Sequence, residues 1–432
     1  MRTFFRTLYS IIFVNILYVG FLLSFPFDSK IRKSFLGRIN LWKRYSRNLP
    51  PKSDKKRVWF HVSSVGELEQ AKPLMKLFYE RNREKVEIVL TLFSPSALKA
   101  ASKVEYVSFY DYLPLDTYLN TKKLFDIVKP DLLVFVKFDI WPNIVWEAYD
   151  RGVPLVLIDG TLHRKSYRYS NVIGQAFYNS IYTCFNLIGT VSESDLKRFL
   201  ITAPKYKKAK VLGDTRYDQV AFRAQNAEGS VNAKKIPACL EIYKKGVTLI
   251  CGSTWESDDK AIMQPIKKLI AENKFLNLVL VPHEPIKKRV SHYMEEFKDF
   301  SPKVLSELND KFDCSRVTVV DQVGFLAELY KLGSIAYIGG AFSTGVHNVM
   351  EPAIMGLPVV FGPFHYNSPE AEALVRSNCA FTGSTEDDFY SILKRLVTDK
   401  EYAKQTGLKA QTFIKSNLGA DERYYKEITK FI

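Results

Sequence analysis

Cysteine is scarce and poorly placed for chemistry. The five cysteines, at 184, 239, 251, 314 and 379, are odd in number, scattered, and never in a CxxC spacing. Neither a disulfide framework nor a zinc site is therefore indicated, and the expected environment is reduced and cytosolic. Glycine and proline, 21 and 19 of 432 residues, are too few for a collagen-like or disordered chain. No GxGxxG, GxSxG or GxxxxGK[ST] occurs, which removes the usual dinucleotide, serine-hydrolase and P-loop signatures. The candidate loops hold no DxD-like carboxylate pair; Asp258-Asp259 opens a helix, where acids offset the helix dipole. What is present is a 47% hydrophobic chain with room for two domains of ordinary size.

One long apolar run stands out. Between Arg6 and Asp28 there is no charged residue, and residues 7–27, at about 1.5 Å each, are long enough to cross a ~30 Å hydrocarbon layer. Residues 24–27, Ser-Phe-Pro-Phe, lack the small residues of a cleavage site, so a retained transmembrane anchor is expected. Residues 28–57 carry eleven Lys or Arg against two Asp, which by the positive-inside rule puts the body of the protein in the cytoplasm. The formal net charge is +16. Its densest block, with Trp42 and Tyr45, directly follows the apolar run and suits an anionic leaflet better than nucleic acid.

Beyond the run, short apolar segments alternate with helical periodicity. Strands are expected at 58–62, 86–91, 132–136, 155–159 and 187–191, and in a second series at 247–252, 278–281, 317–320, 335–338 and 359–361. This alternation predicts an α/β protein of two doubly wound parallel sheets, joined by the polar stretch 216–246 and facing a cleft at the strands' carboxyl ends. The most informative stretch is 339–363, which reads as glycine loop, helix over 348–355, and strand. Gly339 and Gly340 would let backbone N–H groups approach an anion, the helix N-terminus would add positive charge, and Glu351 would accept hydrogen bonds from ribose hydroxyls, beside His347 and Asn348. The second site is Ser63-Ser64-Val65-Gly66-Glu67, where Gly66 allows a tight turn and Glu67 sits in the first helical turn. An ionised carboxylate at a cleft mouth is what a general base for a sugar hydroxyl must be. Asp139, Trp141, Pro142 and Asn143, then Arg164, Ser166 and Arg168, then Ser253 and Thr254, then His283 and Glu284 follow other strands. Singly these read as turn or cap residues; together they suit a nucleotide-linked acidic sugar.

These segments carry a resemblance to the Kdo transferases, which move 3-deoxy-D-manno-octulosonic acid (Kdo) from CMP-Kdo to the lipid A precursor. The similar segments are HVSSVGELEQAKPL, KFDIWPN, DGTLHRKSYRYS, VLGDTRYD, GSTWESD, LVPHEP and IGGAF…HNVMEPAIMGLPVVFGP. The resemblance implies a GT-B fold of two Rossmann-like domains, inversion at the anomeric carbon, and no metal or other cofactor. Expected domains are an anchor at 1–28, an acceptor domain at 29–215, a connection at 216–246 and a donor domain at 247–432. Glu67 would be the base, with Asp139 as the other catalytic acid. Ser253, Thr254, His283, Gly339, Gly340, His347, Asn348 and Glu351 would bind CMP-Kdo, while Ser63, Ser64, Gly66, Lys137, Arg164 and Arg168 would hold the acceptor or the donor's charge. The expected partners are CMP-Kdo, the lipid A precursor and anionic lipids of the inner membrane, crossed once by the anchor, with no nucleic acid. Where the family commonly reads ETELWP this chain has Lys137 and Asp139, and where it reads VPRHP this chain has His283-Glu284. Another GT-B glycosyltransferase with a different nucleotide sugar is the alternative reading.

Overall fold

The computed structural model describes residues 2–163, 166–227, 233–308 and 315–432. The chain divides into two compact units, Met1–Gln219 with Leu418–Ile432, and Val220–Asn417. Unit 1 holds strands β1 (Lys56–Val62), β2 (Val86–Leu92), β3 (Phe109–Tyr112), β4 (Leu132–Val136), β5 (Leu155–Gly160), β6 (Leu187–Thr190) and β7 (Ala209–Val211). They pair in parallel in the order β3-β2-β1-β4-β5-β6-β7. Unit 2 repeats the plan with β8 (Val247–Thr254), β9 (Leu276–Pro282), β10 (Lys303–Val304), β11 (Val317–Val319), β12 (Ile335–Ile338), β13 (Val359–Phe361) and β14 (Ala380–Thr382), in the order β10-β11-β9-β8-β12-β13-β14. The fold is of GT-B type, and every strand expected from the sequence forms.

Both sheets are covered on two sides, which is why their central strands are nearly continuous apolar runs. In β1, Val58, Phe60 and Val62 enter one core cluster while Trp59 enters the other, as the two-residue period of a strand demands. Each sheet also has a point where the strand order reverses, between β1 and β4 in unit 1 and between β8 and β12 in unit 2. In open α/β sheets the crevice outside the carboxyl ends at such a point is where ligands bind.

Three expectations are corrected. The last helix, Ala420–Ile428, belongs to unit 1 rather than to the second domain: its Ala420, Tyr424 and Ile428 complete a core cluster there, and the Tyr424 hydroxyl accepts the Asp159 N–H at 2.8 Å. Cys239 is disulfide-bonded, a pairing that spacing along the chain does not reveal, while Cys184, Cys251 and Cys379 are free and buried and Cys314 lies outside the described residues. The basic block is partly structural. Arg57 is 1% exposed, with its guanidinium on Glu87 Oε1 at 2.8 Å and Val128 O at 2.6 Å, and Arg44 forks onto Asp111 at 2.7 and 2.8 Å.

The amino-terminal segment is one continuous rod made of an α-helix (Arg2–Leu8), a π turn (Tyr9–Phe13) and a second α-helix (Val14–Ser24). Phe5, Tyr9 and Val14 belong to the unit 1 core. The π turn explains this, because its five-residue spacing stacks Tyr9 and Val14 on one face where a regular helix would turn Phe13 inward.

Candidate active site

In unit 1 the site grows out of the end of β1. Ser64 caps the helix Val65–Asn82 by accepting the Glu67 N–H at 3.3 Å, and Glu67 Oε2 reaches back to the Ser63 N–H at 2.6 Å. This reciprocal cap satisfies two otherwise unpaired amides and fixes the carboxylate. Glu67 is 6% exposed. Burial pushes its carboxyl up to about 7; the Ser63 N–H and Lys137 oppose the rise and neighbouring Asp139 adds to it. Asp139, beyond the end of β4, is likewise raised by burial to about 6 against the pull of Arg168. Arg168 donates to Phe138 O at 2.9 Å and lies 4.7 Å over the Tyr178 ring. Two carboxyl groups and two cations thus collect where β1 and β4 diverge. Lys137, with φ of +66°, and Asp159, at the end of β5 with φ of +52°, both occupy the left-handed region, a strain that folds retain mainly at functional sites.

Behind these groups lies a set of positioning contacts. Trp141 Nε1 donates to His61 Nε2 at 3.0 Å, so the ring proton of His61 sits on Nδ1, which faces Thr91 Oγ1 at 2.9 Å. Burial lowers His61 to about 3 and keeps it neutral. Asn143 is wholly buried and works structurally: its N–H and that of Ile144 are accepted by Asp116 at 3.0 and 3.2 Å, capping the helix Pro142–Asp150. A cavity of about 340 Å³ lies between the amino-terminal rod and residues 115–120, lined by Val14, Leu17, Phe21, Leu115, Asn120 and Trp141.

Unit 2 has its own constellation at the β8/β12 reversal. The register of β8 shifts between Gly252 and Thr254, and Ser253 takes φ of +54°. Next comes Trp255, whose ring stacks 4.5 Å from His283, itself 4.5 Å from His347. Trp255 Nε1 also donates to His347 Nε2 at 2.7 Å, and burial with nearby His283 lowers His347 to about 4. After β12, a Cβ on Gly339 would meet Ser253 O at 2.3 Å, and Gly340 has φ of +93°, so both positions require glycine. Their amides are engaged, however: Gly339 N donates to Gly252 O at 2.9 Å and Gly340 N to Asp258 Oδ2 at 3.0 Å. The following helix, Met350–Ile354, has only five residues. The anion cradle expected from these two amides and a full helix dipole is therefore corrected, because Asp258 already occupies it. Glu351 is buried and accepts Arg223 Nη1 at 2.7 Å, and exposed Asn348 accepts the Met350 N–H at 3.0 Å.

Known proteins resemble this chain over most of its length. The sequence profile of the 3-deoxy-D-manno-octulosonic-acid transferases (Kdo transferases) matches residues 38–219. Residues 38–219 are a Kdo transferase domain. A 3-deoxy-D-manno-octulosonic acid transferase of Haemophilus influenzae is 26% identical over 375 residues, 85% of either chain. The enzyme of the same name from Aquifex aeolicus is 26% identical over 368 residues, covering 84% of this chain and 92% of its own. The chain is accordingly a glycosyltransferase. A UDP-GlcNAc 2-epimerase from Neisseria meningitidis bound to UDP-GlcNAc matches in fold, with TM-score 0.58 at 14% identity over 87% of this chain and 99% of that one.

In unit 1, Ser63, Ser64, Glu67, Lys137, Asp139 and Arg168 gather beyond β1 and β4, with Gly66 in the same helical turn as Glu67. In unit 2, Ser253, His283, Gly339, Gly340 and His347 gather beyond β8, β9 and β12; Asn348 follows His347 in the chain and Glu351 pairs with Arg223. Thr254 is different: it is 1% exposed and its hydroxyl accepts the Tyr293 O–H at 2.7 Å, a structural engagement facing Asp259 and Arg289. Arg164 lies outside the described residues. Sequence reasoning missed Trp255, Asp258, Arg223 and Asp116. A tryptophan directly after the turn that ends β8 was the available signal for Trp255; the others are marked only by contacts distant in sequence.

Proposed function

We propose that the transferase moves Kdo from CMP-Kdo to a glucosamine hydroxyl of a lipid A precursor such as lipid IVA, with inversion, at the cytoplasmic face of the inner membrane. The observation that carries this reading is Glu67, a carboxylate fixed by a reciprocal cap at a strand-order reversal and poised near neutrality. A base tuned close to the working pH combines a populated ionised form with useful proton affinity. The acceptor oxygen attacks the anomeric carbon, Glu67 takes its proton, and the bond to the CMP phosphate breaks with its electron pair on the phosphate. Unit 1 serves the acceptor: Lys137 and Arg168 meet anionic groups, and the apolar cavity against Trp141 takes part of a lipid tail. Unit 2 serves the donor, with the Trp255–His283–His347 stack against the nucleotide and Glu351, released from Arg223, on the ribose. Transfer is expected to need no metal. Purified protein given CMP-Kdo and lipid IVA should release CMP and add the mass of Kdo to the lipid, equally with EDTA. Transfer only from a UDP-hexose, or only with added divalent metal, would overturn the reading.

A further inference from the structure

Among the described residues, Arg2–Ser24 is the one helix long and apolar enough to cross a membrane, and at 23 residues it measures about 34 Å. To cross, it would have to carry its two ends to opposite sides. Instead both ends touch unit 1. At the beginning, Arg6 pairs with Asp150 and donates to Glu147 Oε2 at 2.8 Å, Ser10 donates to Asn143 Oδ1 at 2.9 Å, and Tyr9 donates to Asp116 Oδ2 at 3.1 Å. Phe5 packs edge-on against Phe177 at 5.6 Å. Near the end, Phe21 lies 6.2 Å from Phe93, just after β2, and Phe25 lies 5.6 Å from Phe35. The π turn keeps Arg2, Phe5, Arg6, Tyr9 and Val14 on one inner stripe; beyond Val14 the rod runs past the cavity lined by its Leu17, Tyr18 and Phe21, and residues 15–20 are exposed. The other side is bare: Phe4, Ile11, Ile12, Ile16, Val19 and Leu23 are between 44% and 69% exposed, and Phe27 is 89% exposed. A continuous apolar surface of this length marks an interaction site. Exposed Lys30, Arg32, Lys33, Lys43 and Arg47 follow it in the chain, with no acid among residues 29–53.

We propose that this rod is an in-plane membrane-docking element rather than a membrane span: it lies along unit 1, locked by ion pairs and hydrogen bonds on its inner stripe, and sinks its outer face into an anionic leaflet. The basic segment that follows supplies the charge complementarity that a second copy of this equally basic chain would not. The inference stands on the rod's contacts and does not depend on which sugar is transferred.

The test is depth measurement on the full chain bound to vesicles containing anionic lipid. Nitroxide labels are placed on single cysteines introduced at Phe4, Ile12, Val19 and Leu23, all exposed, with the unsubstituted chain as labelling control. In-plane docking predicts one common depth, about 5–10 Å into the boundary between headgroups and acyl chains. A profile deepest at Ile12 that returns to opposite surfaces at Phe4 and beyond Leu23 would establish a span and overturn the proposal. Labels that remain water-exposed on vesicles would overturn it as well. Replacing the anionic lipid by a neutral one should weaken vesicle binding at least about tenfold; unchanged binding would remove the role given to the basic segment.

Discussion

In the proposed mechanism the proton transfer of unit 1 falls to one carboxyl group, Glu67. If it is the base, turnover should rise with pH through about 7, the value to which burial lifts it. A profile flat from pH 5.5 to 8.5 would separate Glu67 from the proton transfer. Glu67→Gln keeps the acceptor for the Ser63 N–H and removes the base, so turnover should fall by about 10²- to 10⁴-fold with donor affinity nearly unchanged. Should more than about a tenth of the activity survive, a loss well below that range, Asp139, raised to about 6, becomes the base. The substitution also has a stability signature. The fold favours the neutral form of Glu67, so the group's stabilising contribution is complete below about 4.5 and is lost as pH rises through about 7. Glu67→Gln should therefore be more stable than the native chain at pH 8, by up to about 3 kcal/mol, with the difference shrinking toward acid pH in thermal melts. In unit 2, Glu351→Gln should raise the donor KM far more than it lowers kcat, since its role is placed in ground-state binding.

At the level of elements, both candidate sites are turns that follow strands at a reversal of strand order. Left-handed backbone at Lys137, Asp159 and Ser253 costs on the order of 1–3 kcal/mol at each position and persists because the surrounding sheet holds it. The loop after β12 is tighter still. In Gly340→Ala the new Cβ would lie 2.5 Å from Gly345 O and 2.8 Å from the His347 ring, at a φ of +93°. The variant should lose donor binding at least about tenfold, because displacing His347 breaks its place in the stack and a lost charge-free contact is worth about 1–1.5 kcal/mol. Calorimetric titration with a CMP-containing donor would measure this; unimpaired binding would mean that the stack is not part of the donor site. The strands that sequence reading missed, β3, β7, β10 and β14, are the edges of the two sheets. They are two to four residues long and partly polar, FYDY, AKV, KV and AFT, so no apolar run announces them. Edges face solvent on one side and are kept short and polar against unwanted pairing.

On the scale of the whole molecule, the amino-terminal rod is part of unit 1 and not an appendage. Deleting residues 2–27 removes Phe5, Tyr9 and Val14 from the core, a loss of roughly 5–9 kcal/mol at about 1.5–3 kcal/mol per buried side chain. That is a large share of the ~5–15 kcal/mol that usually holds a domain folded. The truncated chain should melt about 10–20 °C lower than the full chain in the same detergent, and its residual membrane binding should become salt-sensitive because the basic segment remains. An unchanged melting temperature would show the rod to be peripheral to folding.

Sequence alone determined the two-sheet α/β plan, its central strands, the turn that holds Glu67 and the glycine loop at 339–340. These follow from local periodicity, from residues with special backbone conformations, and from the position of a turn relative to its strand. What only the tertiary structure decided depends on groups far apart in the chain. The apolar run 7–27 looks like a span by composition, and that Arg6 meets Glu147 and Phe21 meets Phe93 is stated only by the structure. The Gly340 amide looks free for a phosphate until Asp258 is brought onto it. Glu67 reads as an ordinary acid until burial, with Asp139 beside it, raises it toward neutrality. Burial, pairing and field are sums over neighbours in space, and a linear sequence does not state which neighbours those are.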